Sequence, residues 1–290
     1  MEAFDFLVPA NLQHLATLLQ TPGRKLIAGG TDLIPSLRQA HSLPAQIIDI
    51  SRLRELRYIR EQNRIVHIGA LTSFRDVQNS RILNEKAPAL VQAAGQIGSP
   101  MIRTRGTLGG NIAHASPAAD SLPALLIMDA SVTLSSQKGQ RTQMLCDFLL
   151  NPGKTDIHSD EILTDIFFEK PSTNCAASFV KIGPRRGMTI AIVNAAALVG
   201  LDNDGRINQA RLSIGAVAPT AIRCRLTEQA LIGCLPSEKL WESISSIIQE
   251  EISPIDDIRG TAQYRRRAAF ILSKRALNAA TQSLQTRMQA

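Results

Sequence analysis

"LIAGGTDLIP", Leu26 to Pro35, decides how the first part of this chain is read. An apolar run stops at Gly29-Gly30 and resumes with a helix-like pattern. Glycine has no Cβ, so such a pair permits positive φ and lets the main chain approach a ligand closely. "RKLIAG" reads as a short buried strand, and "TDLIPSLRQA" as a helix with Thr31 as N-cap. Pro35 then falls in the first turn, where a missing N–H costs little. Upstream, "PANLQHLATLLQTPG" sets Leu12, Leu15, Leu18 and Leu19 on one helical face, with Pro9 in the first turn and Gly23 as the stop. Downstream, "AQIIDI" is a strand. Helix, strand, glycine turn, helix, strand is an α/β unit.

The turn has two readings. It is a plain strand-to-helix connection, or its N–H groups are left for a phosphate, with Thr31 as an extra donor. A second pair, in "RTRGTLGGNIAHASPAAD" (Arg103 to Asp120), poses the same alternative. "GTLGGN" reads as a loop with bare amides at Gly106, Gly109 and Gly110, flanked by the polar side chains of Thr107 and Asn111. Asp120 precedes an apolar helix, either as its cap or as a carboxylate that receives hydroxyl protons. Neither stretch matches G-x-G-x-x-G or a P-loop, which disfavours Rossmann and Walker sites.

Further along, "RIVHIGA" is a strand, Thr72 caps the helix "SFRDVQNS", and "APALVQAAGQIGS" and "SLPALLIMDA" are helices. "SVTLSS" and "EILTDIFFE" are strands, and "KPSTN" (Lys170 to Asn174) is the best linker. Beyond it come three strands, "ASFVKIG", "AIVNAAALVGLD" and "RINQARLSIGAVAP", then helices around "EKLWESISSIIQEEI" and "GTAQYRRRAAFILSKRALNAATQSL". That order predicts an antiparallel sheet backed by helices, hence α+β. The expected domains are 1–170, with subdomains about 1–56 and 57–170, and 171–290.

The totals narrow the function. A chain of 290 residues, 44% hydrophobic and 20% charged, is long enough for two cores. Aromatics at 4% argue against stacking on single-stranded nucleic acid. The net charge of +7 is mostly dispersed, densest in "PRRG" (184–187) and "YRRRAA" (264–269). It serves solubility, or a basic face for an acidic partner or a phosphate-rich ligand. Cys146, Cys175, Cys224 and Cys234 form no C-x-x-C, and no H-E-x-x-H occurs, so an iron–sulfur cluster or zinc held by this chain alone is disfavoured. "MEAFDF" lacks signal-peptide character and no apolar run reaches membrane-spanning length, so a cytoplasmic protein is expected, with no membrane and no nucleic-acid partner.

Taken together, "KLIAGGTDLIP", "IRTRGTLGGNIAHASPAADSLPALL", "EILT", "FVKIGPRRGMTIAIVNAA", "IGAVAPTAIRCR" and "GTAQYRRR", in this order, resemble the FAD-binding medium subunit of the molybdenum hydroxylases. That family includes xanthine dehydrogenase, carbon monoxide dehydrogenase and the nicotinate and quinoline oxidoreductases. The resemblance implies an α+β chain: a two-subdomain α/β FAD-binding domain (PCMH-like, type 2), then a small α+β C-terminal domain of the carbon monoxide dehydrogenase flavoprotein type. It implies that Leu26, Ile27, Ala28, Gly29, Gly30, Thr31 and Asp32 line the pyrophosphate and ribityl side of FAD. Gly106, Thr107, Leu108, Gly109, Gly110 and Asn111 would wrap the same stretch from the other turn. Asp120 would bind ribityl or ribose hydroxyls, and Ile162 and Leu163 would pack near the adenine. Lys181 would lie near the isoalloxazine, where positive charge favours the anionic reduced ring, with Ile97 beside that ring. No residue of this chain is then catalytic.

The implied partners are a molybdopterin-binding large subunit, which hydroxylates the substrate, and a small subunit with 2Fe-2S clusters. This chain passes electrons through FAD to NAD+ or another acceptor, in a xanthine-dehydrogenase-like complex. Two departures bear on the oxidant and the sub-branch: Thr189 stands where the family often has an acidic residue, and Met101 where it often has Gln. The rival readings are a stand-alone flavin oxidoreductase of the same superfamily and a non-enzymatic basic binding module.

Overall fold

The computed structural model describes residues 5–39, 44–185 and 188–289. Ala40, at the end of the predicted second helix, and Arg186 and Gly187 of the "PRRG" run lie outside them.

The first unit is β1 (Asp5–Leu7), α1 (Leu12–Leu18), β2 (Lys25–Ile27), α2 (Leu33–Gln39) and β3 (Gln46–Asp49). Its strands pair in parallel, in the order β1-β3-β2. Parallel neighbours need crossovers, and the two helices supply them. Asn11 caps α1 by accepting from the His14 N–H at 2.8 Å, so Pro9 lies outside the helix rather than in its first turn. The leucine face holds: Leu15 and Leu19 are buried against Ile48, Leu53 and Leu56, with Leu12 and Leu18 packed beside them. The second helix starts at Leu33, one residue later than a Thr31 cap requires.

The second unit runs β4 (Ile59–Gln62), β5 (Ile65–Gly69), α3 (Phe74–Asn79), α4 (Arg81–Lys86), α5 (Pro88–Gln96), α6 (Pro100–Arg105), α7 (Leu108–His114), α8 (Ser121–Leu126), β6 (Ser131–Ser136), β7 (Gly139–Met144), α9 (Leu145–Phe148), β8 (Leu149–Asn151), β9 (Lys154–Thr155) and β10 (Ile162–Glu169). Its five-stranded antiparallel sheet has the order β4-β5-β10-β6-β7. Alternation places Val66, Ile68, Val132, Leu134, Ile166 and Phe168 in the core beneath the helices. The cap of α3 is Ser73, in a capping box with Asp76, not Thr72. The Thr72 hydroxyl instead donates to the Tyr58 carbonyl at 3.0 Å.

The third unit is an antiparallel sheet of β11 (Cys175–Ile182), β12 (Val193–Leu201), β13 (Ile207–Gly215) and β14 (Ile222–Arg223). It is followed by α10 (Arg225–Leu231), α11 (Glu238–Ser243), α12 (Ser245–Glu251) and α13 (Ala262–Gln289). Every residue of β12 is buried, because the sheet is covered on both faces. Ala196 and Leu198 enter the core shared with the second unit, while Ala195, Ala197 and Val199 face α12 and α13. A strand covered twice reads as an unbroken apolar run, which is what "AIVNAAALVG" is. Asn194 is the polar exception. Arg223, held by Glu228 of its own unit (2.6 Å), ties the third unit to the second through Asp129 (2.5 Å).

The 2% exposed Arg265 secures α13: it donates to the Ile192 and Ala216 carbonyls and to Asp257 at 2.6 Å. Burial pushes the Asp257 carboxyl up, but hydrogen bonds from Arg259 and Arg265 outweigh it and hold it at about 2, below the ordinary 3.8. A depressed carboxylate adds stability that is complete above the unfolded value and lost as pH falls through the folded one. Urea unfolding should therefore show wild-type stability falling between about pH 4 and pH 2 more steeply than that of Asp257→Asn.

Candidate functional site

The strand β2 ends at Ile27, and the chain turns through Gly29 and Gly30, the latter at φ +70°, before α2. The side chains of Leu26 and Ala28 pack on the first core, so these residues, with Ile27, present main chain to the turn. The amides of Gly29, Gly30, Thr31 and Asp32 meet no acceptor among the described residues. A Cβ on Gly29 would overlap the Arg105 carbonyl oxygen and come 3.1 Å from Gly106 Cα. A Cβ on Gly106 would lie 3.4 Å from Thr31 Oγ1. Asp32 pairs with His114 at 2.8 Å. The two glycine segments, some eighty residues apart in the chain, are thus in direct contact.

The second segment is not the loop its sequence suggests. Thr107 caps the helix α7, and Gly109 and Gly110 lie in its first turn. The expected bare amides are taken: Gly106 donates to Ile102 O, Gly109 to Ala70 O at 2.9 Å and Gly110 to Thr107 Oγ1 at 3.1 Å. The Leu108 amide donates to Thr72 O and its side chain is buried. Gly109 serves close packing, since a Cβ there would come 2.6 Å from Ala70 Cβ. Gly110 is exposed, and its added Cβ would meet only Thr107 Oγ1, at 2.8 Å. Asn111 Oδ1 accepts from Ser121 at 2.6 Å.

Asp120 precedes α8 but makes no side-chain cap. It is 6% exposed and held from the third sheet: Lys181 Nζ lies 2.5 Å from Oδ2, and Asn194 Nδ2 donates to Oδ1 at 2.8 Å. Lys181 also donates to the Gln96 carbonyl at 3.2 Å. Burial pushes the Asp120 carboxyl up, against the pull of Lys181 and Asn194. Lys181 lines a cavity of about 690 Å³ with Gly98, Arg103, Gly183, Arg185 and Thr189. Ile97 packs on the core and its carbonyl accepts from Arg103, while its neighbours Gln96 and Gly98 face the cavity. Ile162 and Leu163 are buried at the start of β10, in two different cores, so they too offer main chain rather than side chain.

A second cavity, about 430 Å³, lies at the glycine contact. Ala28, Gly29 and Thr107 form one wall, and Arg54, Arg57 and Arg105 another. The helix α6 lines both spaces, with Arg103 at the first and Arg105 at the second. Arg54, Arg57 and Asn194 are not among the predicted site residues. Close spacing in "SRLRELR" hinted at the former, and a lone amide in an apolar strand hinted at the latter. No group of three or more His, Cys, Asp or Glu able to hold a metal occurs among the described residues. No helix there is long and apolar enough to cross a membrane.

Comparison with known proteins gives one consistent answer. Residues 2–171 match the profile "FAD binding domain in molybdopterin dehydrogenase", and residues 178–280 the "CO dehydrogenase flavoprotein C-terminal domain". The nicotinate dehydrogenase FAD-subunit of Eubacterium barkeri is 30% identical over 92% of each chain. The xanthine dehydrogenase FAD-binding subunit of Escherichia coli O157:H7 is 32% identical over 99% of this chain and all of its own. Among solved structures, carbon monoxide dehydrogenase from Hydrogenophaga pseudoflava superposes with a TM-score of 0.92 at 31% identity, covering 96% of this chain and 97% of that one.

The glycine contact generates a stability prediction. Gly29→Ala must push the two segments apart, costing about 1–3 kcal/mol as overpacking does. Gly95→Ala, whose Cβ meets only the Gln78 side chain at 3.6 Å, should be neutral or slightly stabilising. Denaturant titration of both variants checks the difference.

Proposed function

The chain belongs to the FAD-binding medium subunits of the molybdopterin dehydrogenases, and on that premise we propose that it passes electrons from 2Fe-2S clusters of a small partner subunit to NAD+ or another acceptor. FAD supplies the reversible redox chemistry, while binding, orientation and electrostatics fall to the protein. One observation carries the site: four amides, at Gly29, Gly30, Thr31 and Asp32, that meet no acceptor among the described residues, on a turn braced by the other glycine segment. That donor set fits a diphosphate, which takes main-chain N–H groups well. Exposed Gly110 and the Asn111 side chain complete the cradle from α7. The larger cavity fits a tricyclic ring, with Lys181 placing a cation at its wall. Asp120 offers its remaining acceptor capacity to hydroxyls, and the main chain at Ile162 and Leu163 takes the adenine end.

Beside the larger cavity stand Met101, Met188 and Ile190, exposed by 79%, 59% and 63%. Apolar surface left this open favours a partner subunit there. The molybdopterin-binding large subunit completes the complex. Its substrate is chosen outside this chain, and relatives named for nicotinate, xanthine and carbon monoxide dehydrogenases match nearly all of this chain. The end-to-end match with the xanthine dehydrogenase subunit supports the xanthine-dehydrogenase type.

The isolated chain should be yellow and hold FAD at one per chain. It should oxidise none of xanthine, nicotinate, glyceraldehyde or carbon monoxide until a molybdopterin subunit and an iron–sulfur subunit are added. Substrate turnover by the isolated chain at the rate of the complex would favour a stand-alone flavin oxidoreductase.

A further inference from the structure

Strand pairing sets Lys181, Asn194 and Gly215 side by side across β11, β12 and β13. The row faces Asp120. Asn194 is fully buried in a strand whose other positions are apolar or glycine. Its amide orientation is forced: turned over, its oxygen would oppose the Asp120 carboxylate oxygen at 2.8 Å. Gly215 makes the room, because a Cβ there would overlap Asn194 Oδ1. That Oδ1 has no hydrogen-bond partner among the described residues, a cost that an apolar residue at 194 would not carry. The strand therefore keeps an expensive side chain, and the one bond it makes is to Asp120.

We propose that Asn194 is a positioning residue for the flavin pocket: its N–H fixes one Asp120 oxygen, so that the other holds the Lys181 ammonium against the cavity wall. The proposal rests on reading the 690 Å³ cavity as the flavin site. A neutral donor suits this task. It orients the carboxylate without adding charge, and the buried cluster stays electrically balanced, with one carboxylate for one ammonium. Among the described residues, the charge acting on Asp120 is that of Lys181 on β11; β12 offers the neutral Asn194 amide, and α5 gives Lys181 the neutral Gln96 carbonyl.

Asn194→Asp tests this in the full-length, FAD-loaded chain. It sets two carboxylate oxygens face to face, so the pair must share a proton or repel. Near pH 8.5, FAD affinity should fall by about tenfold or more relative to wild type, and most of it should return near pH 5.5. The midpoint potential of retained flavin near pH 8.5 should move negative, since added negative charge disfavours the reduced anion. Asn194→Ala should weaken FAD binding without the new pH dependence. Wild-type affinity and potential in Asn194→Asp at both pH values would overturn the proposal. So would an equal, pH-independent loss of FAD in both variants with lowered melting temperatures, which marks a merely structural side chain. A wild-type chain that retains no FAD would overturn the site reading, and this inference with it.

Discussion

The contact of Gly29 with the Arg105 carbonyl sets the arrangement of everything around it. No side chain fits between them. The main chain of the parallel unit therefore rests directly on the end of α6 and the start of α7. Close packing at this point does two jobs. It fixes the first unit on the second, and it leaves the amides from Gly29 to Asp32 without acceptors among the described residues. Unpaired donors in a partly buried turn are costly unless something accepts from them, and a diphosphate does so with charge-assisted bonds.

The third sheet meets the second unit at Asp120. Its first strand carries Lys181 and its second carries Asn194, and both converge on Asp120 of the second unit. The pair is buried, with side chains exposed by only 5% and 6%. A buried ion pair is poor evidence of stabilisation, because desolvation offsets the attraction. It is better understood as a device of placement. Arg223 makes a similar bridge, joining Glu228 of its own unit to Asp129 of the second. The third unit is thereby held to the second by ionic contacts across a boundary that apolar packing also closes.

Much of this was legible in the residues. The leucine face of α1, the strand "RIVHIGA" and the unbroken run of β12 each follow from burial on one face or on two. The α+β class and the FAD assignment carried through to the matching families. The second glycine segment was misjudged in form. A Gly-Gly pair argues for a turn, yet Thr107 capping and the need to approach Ala70 outweigh glycine's low helix propensity. Bare amides are therefore predicted at Gly106, Gly109 and Gly110, whereas all three have acceptors and, among the described residues, those from Gly29 to Asp32 have none. The Lys181–Asp120–Asn194 cluster was hidden, because its members are brought together by strand register and not by spacing in the chain.

The central claim is that the turn at Gly29 to Asp32 holds the diphosphate of FAD, and ligand titration tests it most directly. Flavin-free chain would be titrated with FAD and with riboflavin, which shares the ring and ribityl chain but has no phosphate. Two charge-assisted bonds from the turn amount to about 3 kcal/mol or more, so FAD should bind at least about a hundredfold tighter than riboflavin. Equal affinity for the two ligands would contradict the account.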